Sequence, residues 1–414
     1  MRTETQAPQE SVSEAVIAPA RQALHKLAWS EMLIIVLVAW LGEYASSVAT
    51  VTPALVDAWT SWLGADNATA GLLATSGLLG QTIGLIGGVL LVSRWPLAKL
   101  AWLGLLITIP SDAVSTVINS SGNMLVVRLV QGLGTGFIMA AAINWMGRHQ
   151  QTVRAFAVFV LLQAILPRAF LNLVPLMTPL VGHASVYVGL IVWALTCTVF
   201  VGALSRNGGG TPIGRAVGHW RAPLGRRISA VSASALFNFG AIGMWAFLMR
   251  YAQSKGLSAA VFLQLTAWSA AFGILGSWVA FALNTRVGRT AAIFAGYGLV
   301  ILNTLAMVTL PVTAPIFAAE MFTGGFAVSF LLPHLLATQS ALDTSGRLPI
   351  VGLIVGAVGA SLGPMAFGFI SQRFSYATAF AAVAGLWVIG CFALVFAARY
   401  ANRSDPMSAA LTPT

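Results

Sequence analysis

Charge is what this sequence has least of. Asp, Glu, Lys and Arg make up 8% of its 414 residues, against roughly 25% in an average soluble protein. A chain so poor in charge cannot cover a globular surface with polar groups, which excludes an ordinary soluble domain. Cysteine is nearly missing: Cys197 and Cys391 sit in apolar runs without ligand-spaced neighbours. That excludes a disulfide scaffold and a cysteine metal centre, and leaves both as packing residues. There is no Walker-type glycine loop, no His-Glu-x-x-His segment and no separate polar domain. Neither an enzyme nor a nucleotide-driven pump is expected, and no metal or cofactor is called for.

What the chain has instead is apolar length. Hydrophobic residues make up 58% of it, and they recur in runs of about 20, the span of a hydrocarbon core. The 41 glycines fit membrane helices, which approach closely through small residues. Gly84 and Gly88, Gly132 and Gly136, Gly352 and Gly356, and Gly359 and Gly363 recur four apart within the runs. Their reading is close helix packing, with sliding surfaces as the alternative.

The runs predict an all-α polytopic membrane protein of twelve transmembrane helices in two pseudo-symmetric six-helix bundles. The spans fall at 29–53, 68–92, 98–118, 122–147, 152–176, 184–204, 228–249, 260–284, 290–310, 313–340, 347–371 and 376–400. Residues 1–27 are polar and read as a flexible cytoplasmic tail. Residues 28–204 form the first bundle, 205–227 a basic linker with Gly208, Gly209 and Gly210, 228–400 the second bundle, and 401–414 a C-terminal tail.

The net charge of +11 reports orientation, not a nucleic-acid partner. Of the 22 Lys and Arg, Arg250, Lys255 and Arg373 fall on one side of the membrane, Arg128 and Arg168 fall inside spans, and the rest fall on the other side. By the positive-inside rule both termini are cytoplasmic. The expected setting is the cell membrane, the inner one in a prokaryote, with the lipid bilayer as partner and the chain acting as a monomer.

The halves repeat. Arg128-Leu-Val-Gln131-Gly132 and Pro167-Arg168-Ala-Phe170 in the first answer to Glu320-Met-Phe-Thr323-Gly324 and Pro364-Met-Ala-Phe367 in the second. Two similar halves that differ in their buried charges point to a pathway between them.

With these motifs the chain resembles the major facilitator superfamily over all twelve spans. Arg128-Leu-Val-Gln131-Gly132-Leu-Gly134-Thr-Gly136 is similar to that superfamily's fourth-helix signature, most closely as found in proton-coupled drug antiporters. Gly42-Glu43-Tyr44 with Pro53 resembles the acidic first helix of efflux members. Arg286-Val-Gly288-Arg289 resembles half of the basic gating loop, with Thr285 where an acid is usual. The loop after span two, with Arg94 and Lys99, lacks both the acid and the glycine. The fifth span has Pro167-Arg168 in place of the antiporter glycine-proline pattern, while Gly363-Pro364 in the eleventh is closer to it. The resemblance implies a proton-coupled secondary transporter working by alternating access and exporting small organic compounds or drugs. The alternative is a proton symporter that imports an organic anion, and sodium in place of protons stays open.

An ionised group at the centre of a span costs roughly 2.5–3.5 kcal/mol, so each buried one demands a partner or water. Glu43 shares a helical face with Trp40, Ser47 and Thr50, which predicts an inward-facing polar stripe. It is a proton-coupling candidate, or else a static partner for a buried arginine. Arg128 stays protonated; it either tunes a neighbouring carboxylate or forms a fixed ion pair, and the resemblance implies a part in proton coupling. Arg168, with Asn172 one turn on, suits a carboxylate or phosphate, and the resemblance implies that the fifth helix lines the cavity. A salt bridge from Arg168 to Asp112 or Glu43 is the alternative. Asp112 reads as a structural ion-pair partner for Arg128 or Arg168. Glu320 joins Glu43 and Arg128 as a proton-coupling candidate; His334, fourteen residues on, is about 21 Å away along the helix and reads as a packing residue, with a second station of a proton path as the alternative. Gln131 and Trp40 complete the expected substrate-binding set. Trp145, Trp245 and Trp268 are candidates for an aromatic lining, with core or interface anchoring as the alternative.

Overall fold

The structure, a computed structural model, describes residues 9–205, 222–283, 288–343 and 347–403. Twelve α-helices run through them: α1 (Gln9–Trp62), α2 (Asn67–Leu91), α3 (Leu97–Ser115), α4 (Ser121–Arg148), α5 (Thr152–Val181), α6 (Ser185–Phe200), α7 (Leu224–Ser254), α8 (Ala259–Leu283), α9 (Arg289–Thr309), α10 (Ala314–Leu342), α11 (Arg347–Arg373) and α12 (Tyr376–Arg403). Eleven apolar stretches are long enough to cross a bilayer. One of them, Arg154–Ser205, is 52 residues long and holds both α5 and α6. The reversal between these two helices uses Gly182 at φ +60°, a left-handed conformation that other residues rarely adopt.

Several helices outrun their expected ends. Pro53 does not stop α1, whose crossing segment is Ser30–Trp62, and Pro175 and Pro179 lie within α5. In a bundle, neighbouring groups satisfy the backbone carbonyls that a proline frees, so it need not end a helix. Toward the N-terminus α1 begins at Gln9, where the composition reads as a flexible tail. That stretch is rich in Ala, Glu, Gln and Leu, all good helix formers. Arg226 and Arg227, assigned to the linker, belong to the first turns of α7. The linker residues 206–221 lie outside the described residues.

Each half builds the same packing plan. α2 lies on α4, α1 on α5, and α3 on α6; in the second half α8 lies on α10, α7 on α11, and α9 on α12. The four-apart glycines explain the tightest of these. A Cβ on Gly132 would stand 2.0 Å from the Gly77 carbonyl oxygen, and one on Gly84 would stand 2.2 Å from that of Leu133. No side chain fits there, so α2 and α4 touch backbone to backbone.

The two halves meet along α1–α7, α2–α11 and α5–α8. Under the repeat, α2–α11 and α5–α8 are equivalent seams.

Candidate functional site

Alternating helices place Arg94, Lys99, Arg148, Arg289 and Arg347 near one end of the bundle, here termed the basic face. The bonds between the halves cluster toward the opposite face. Asn67 Nδ2 donates to Ser371 Oγ at 3.3 Å and to the Tyr376 hydroxyl at 3.1 Å. The indole of Trp245 donates to the Thr50 carbonyl at 3.1 Å. Arg250 pairs with Asp57 at 3.4 Å. At mid-depth Thr82 and Ser361 hydroxyls lie 3.1 Å apart. The halves are therefore sealed on the side away from the basic face. At the start of this seal Asp66 caps α2 by accepting from the Thr69 backbone N–H at 2.8 Å. That hydrogen bond holds the Asp66 carboxyl below its ordinary value.

Beneath the seal lies a cavity of about 550 Å³, a size that suits a drug-like molecule. It runs from just below the seal, at Leu248, Met307 and Glu320, past Trp245 and Arg168 toward the basic face at Ala157 on α5 and Ser277 on α8. Its polar lining comes from both halves: Gln163 and Arg168 on α5 face Asn303, Thr304 and Glu320 on α9 and α10. Arg168 is held in place by three carbonyls. Its Nη1 donates to Gln163 and Ala164 at 3.0 and 3.1 Å, and its Nε donates to Thr266 of α8 at 3.3 Å. Among the described residues no carboxylate forms an ion pair with it. Glu320 is 4% exposed, and neither of its carboxylate oxygens has a hydrogen-bond partner.

Glu43 is fully buried, one layer behind the cavity wall. Its Oε2 accepts from Ser46 Oγ at 2.7 Å, and that oxygen accepts in turn from Gln163 Nε2 at 3.3 Å. Gln163 lines the cavity, so two polar side chains connect the carboxyl to it. Glu43 Oε1 has no partner. The expected stripe is only partly realised. Thr50 reaches the cavity, but Ser47 turns back to the Tyr44 carbonyl, and Ser46, one position away, serves the carboxyl.

Arg128 is 1% exposed and is paired with Asp112, Nη1 to Oδ1 at 2.9 Å. Its Nη2 donates to Gln131 Oε1 at 3.0 Å, and its guanidinium lies 5.7 Å from the centre of the Tyr187 ring. The whole cluster is enclosed within the first half. Asp112 is thus the structural partner expected of it, and Arg128 is its cation. Arg128 does not pair with Glu43.

Other expectations need correcting. Gln131 serves Arg128 and is not a cavity residue. Trp40 is not among the residues that line the cavity: its indole donates to Thr196 Oγ1 at 3.1 Å, and its ring meets Trp193 and Phe200 edge-on. A large ring one turn from Glu43 fills the gap against α6 instead of the pathway. Asn172 bonds back to the Arg168 carbonyl at 2.8 Å and is not among the residues that line the cavity. Trp245 is a lining residue, whereas Trp145 is buried against His149 and Trp268 is 66% exposed on the lipid side. His334 packs edge-on against Phe330, apart from the cavity. In the gating loop Arg286 lies outside the described residues. Gly288 precedes α9, and Arg289 donates to Asn402 Oδ1 at 3.3 Å, a bond within the second half.

Gln163 and Asn303 are cavity residues that sequence reasoning passed over. Gln163 carried a signal, as a lone amide five residues before Arg168 in an apolar run. Asn303 carried a weaker one: the register Arg128–Glu320 matches it to Ser111 on the third helix, beside the buried Asp112.

No family model matches the chain, and no curated protein matches it. Solved structures do. A bacterial homolog of the human lysosomal transporter Spinster, inward-facing and occupied, superposes with a TM-score of 0.69 at 15% identity, covering 92% of this chain and 98% of the other. A D-xylose–proton symporter gives 0.68 at 13%, covering 93% and 100%. A mutant of the peptide transporter POT bound to alafosfalin gives 0.70 at 15%, covering 89% and 94%. The fold is the major facilitator fold.

Proposed function

We propose that this protein is a proton-coupled secondary transporter working by alternating access and exporting small organic compounds. The observation that carries the reading is the fully buried Glu43 carboxyl, linked through Ser46 and Gln163 to a cavity shared by both halves. A membrane-embedded carboxyl one layer behind a wet pathway is suited to taking up and releasing a proton. Export rests on the resemblance of the Glu43 segment to efflux members. With the basic face cytoplasmic by the positive-inside rule, the sealed side is the outer one and the cavity is of the inward-open kind. Arg128 and Asp112 then act as a fixed brace of the first half, not as the coupling switch.

The test uses proteoliposomes with an imposed pH gradient and a panel of organic cations, anions and neutral compounds. Gradient-driven flux is expected for wild type and lost in Glu43→Gln. Undiminished gradient-driven flux in the variant would reject Glu43 as the coupling site.

A second reading, import of an organic anion with protons, is favoured by Arg168, whose guanidinium faces the cavity without a carboxylate partner. Flux of anions in the direction of the proton gradient, lost in Arg168→Gln, would select it.

A further inference from the structure

The two charged groups in the cavity wall come from different halves and are not neutralised by one another. Arg168 is fixed on α5 by the carbonyls of Gln163, Ala164 and Thr266. Those oxygens hold the guanidinium in place without cancelling its charge. Glu320 stands on α10, nearly wholly buried, with both carboxylate oxygens unpartnered. Native structures rarely leave a buried polar group in this state, and each case calls for an explanation, here a partner brought by the substrate. The carboxylate oxygens of Glu320 accept, so what is missing is a donor, and a cationic one offsets the most desolvation. The guanidinium has Glu43 in electrostatic reach but beyond ion-pair distance, and its remaining N–H groups suit a carboxylate or phosphate.

From this geometry we infer that the cavity is a site for a zwitterion, an organic molecule with an anionic group at Arg168 and a cationic group at Glu320. The inference rests on the transporter reading and names its substrate class. The rest of the wall is mostly apolar, with Trp245, Met244, Leu248 and Val300, so the substrate carries a hydrocarbon spacer or ring. A single-charged compound satisfies one station and leaves the other as it is now. A zwitterion satisfies both, and it bridges the halves on either side of the seam, the contact that a rocking mechanism needs.

The test is equilibrium binding to purified protein in detergent, with no gradient present, so that its outcome is independent of whether Glu43 couples protons. The probes are aminohexanoic, aminooctanoic and aminododecanoic acids, each as the free zwitterion, as the N-acetyl anion and as the cationic amide, read by thermal shift and calorimetry. At least one zwitterion is expected to bind roughly tenfold more tightly than both of its single-charged forms. Glu320→Gln should reduce that zwitterion to the affinity of its N-acetyl form while leaving the N-acetyl form unaffected. Arg168→Gln should do the converse with the amide. Both variants must elute as monodisperse protein with a cooperative melt. Arg168→Lys, which keeps the charge, covers the case in which Arg168→Gln does not fold. A series in which no zwitterion outbinds its single-charged forms overturns the proposal, and so does an advantage that survives in Glu320→Gln.

Discussion

The α2–α11 and α5–α8 seams are equivalent under the repeat, yet one is zipped and the other is propped. In α2–α11 a Cβ on Gly71 would stand 2.4 Å from the Pro364 carbonyl oxygen, and one on Gly368 would stand 2.3 Å from that of Asn67. The helices meet backbone to backbone and add Thr75 Oγ1 to the Met365 N–H at 3.1 Å. In the repeat register Leu263 stands where Gly71 does, and Leu171 where Gly368 does, both buried. The second seam thus has leucine side chains at positions where the first has glycines, and Arg168 crosses it to the Thr266 carbonyl. Met365, the counterpart of Arg168, contributes only its backbone. One helix-packing plan thus yields a tight hinge or a cavity wall according to side-chain volume at a few positions.

The largest effect is expected away from both seams, in the half that carries one side of each. Asp112→Asn leaves Arg128 buried without its anion, a loss of about 3–5 kcal/mol, seen as a lower melting temperature. Adding Arg128→Met in that background should recover much of it; no recovery would mean that the cluster is not a simple ion pair.

Gly71→Leu copies the propped seam onto the zipped one. Overpacking of this kind costs about 1–3 kcal/mol, enough to shift a two-state equilibrium about fivefold or more. A thiol introduced as Asn67→Cys should then label faster, because the seal above the cavity opens. Unchanged labelling would break the comparison.

Asp66→Ala removes the cap at the outer end of the zipped seam, worth about 0.5–2 kcal/mol. The folded-state value of Asp66 is depressed by the Thr69 hydrogen bond. Its contribution is therefore present above the unfolded-state value and fades as pH falls through the folded one. The difference between wild type and variant should shrink in acid; a constant difference would rule out the charge.

Arg250→Ala tests the least of the closing contacts. The Arg250–Asp57 pair is partly exposed, with side chains 35% and 25% accessible, and such pairs contribute about 0.2–1 kcal/mol. The effect should vanish at high salt.

Glu43, Arg168 and Glu320 were legible as buried ionisable groups, because charge in an apolar run is conspicuous wherever it sits. The partners were not. Helical spacing pointed to Trp40 and Ser47 beside Glu43, but a rotamer's reach brought Ser46 to the carboxyl, and Gln163 came from another helix. Arg128 and Glu320 hold equivalent positions in the repeat, and nothing local says that one is paired with Asp112 while the other is buried in the cavity wall without a partner.

By itself the sequence determined the twelve helices, their alternating direction and the two-fold plan, since hydrocarbon length and a basic bias are read one segment at a time. Only the tertiary structure decided which charges pair, which seam closes and where the cavity lies. Those outcomes depend on side-chain volumes meeting across helices that are far apart in the chain.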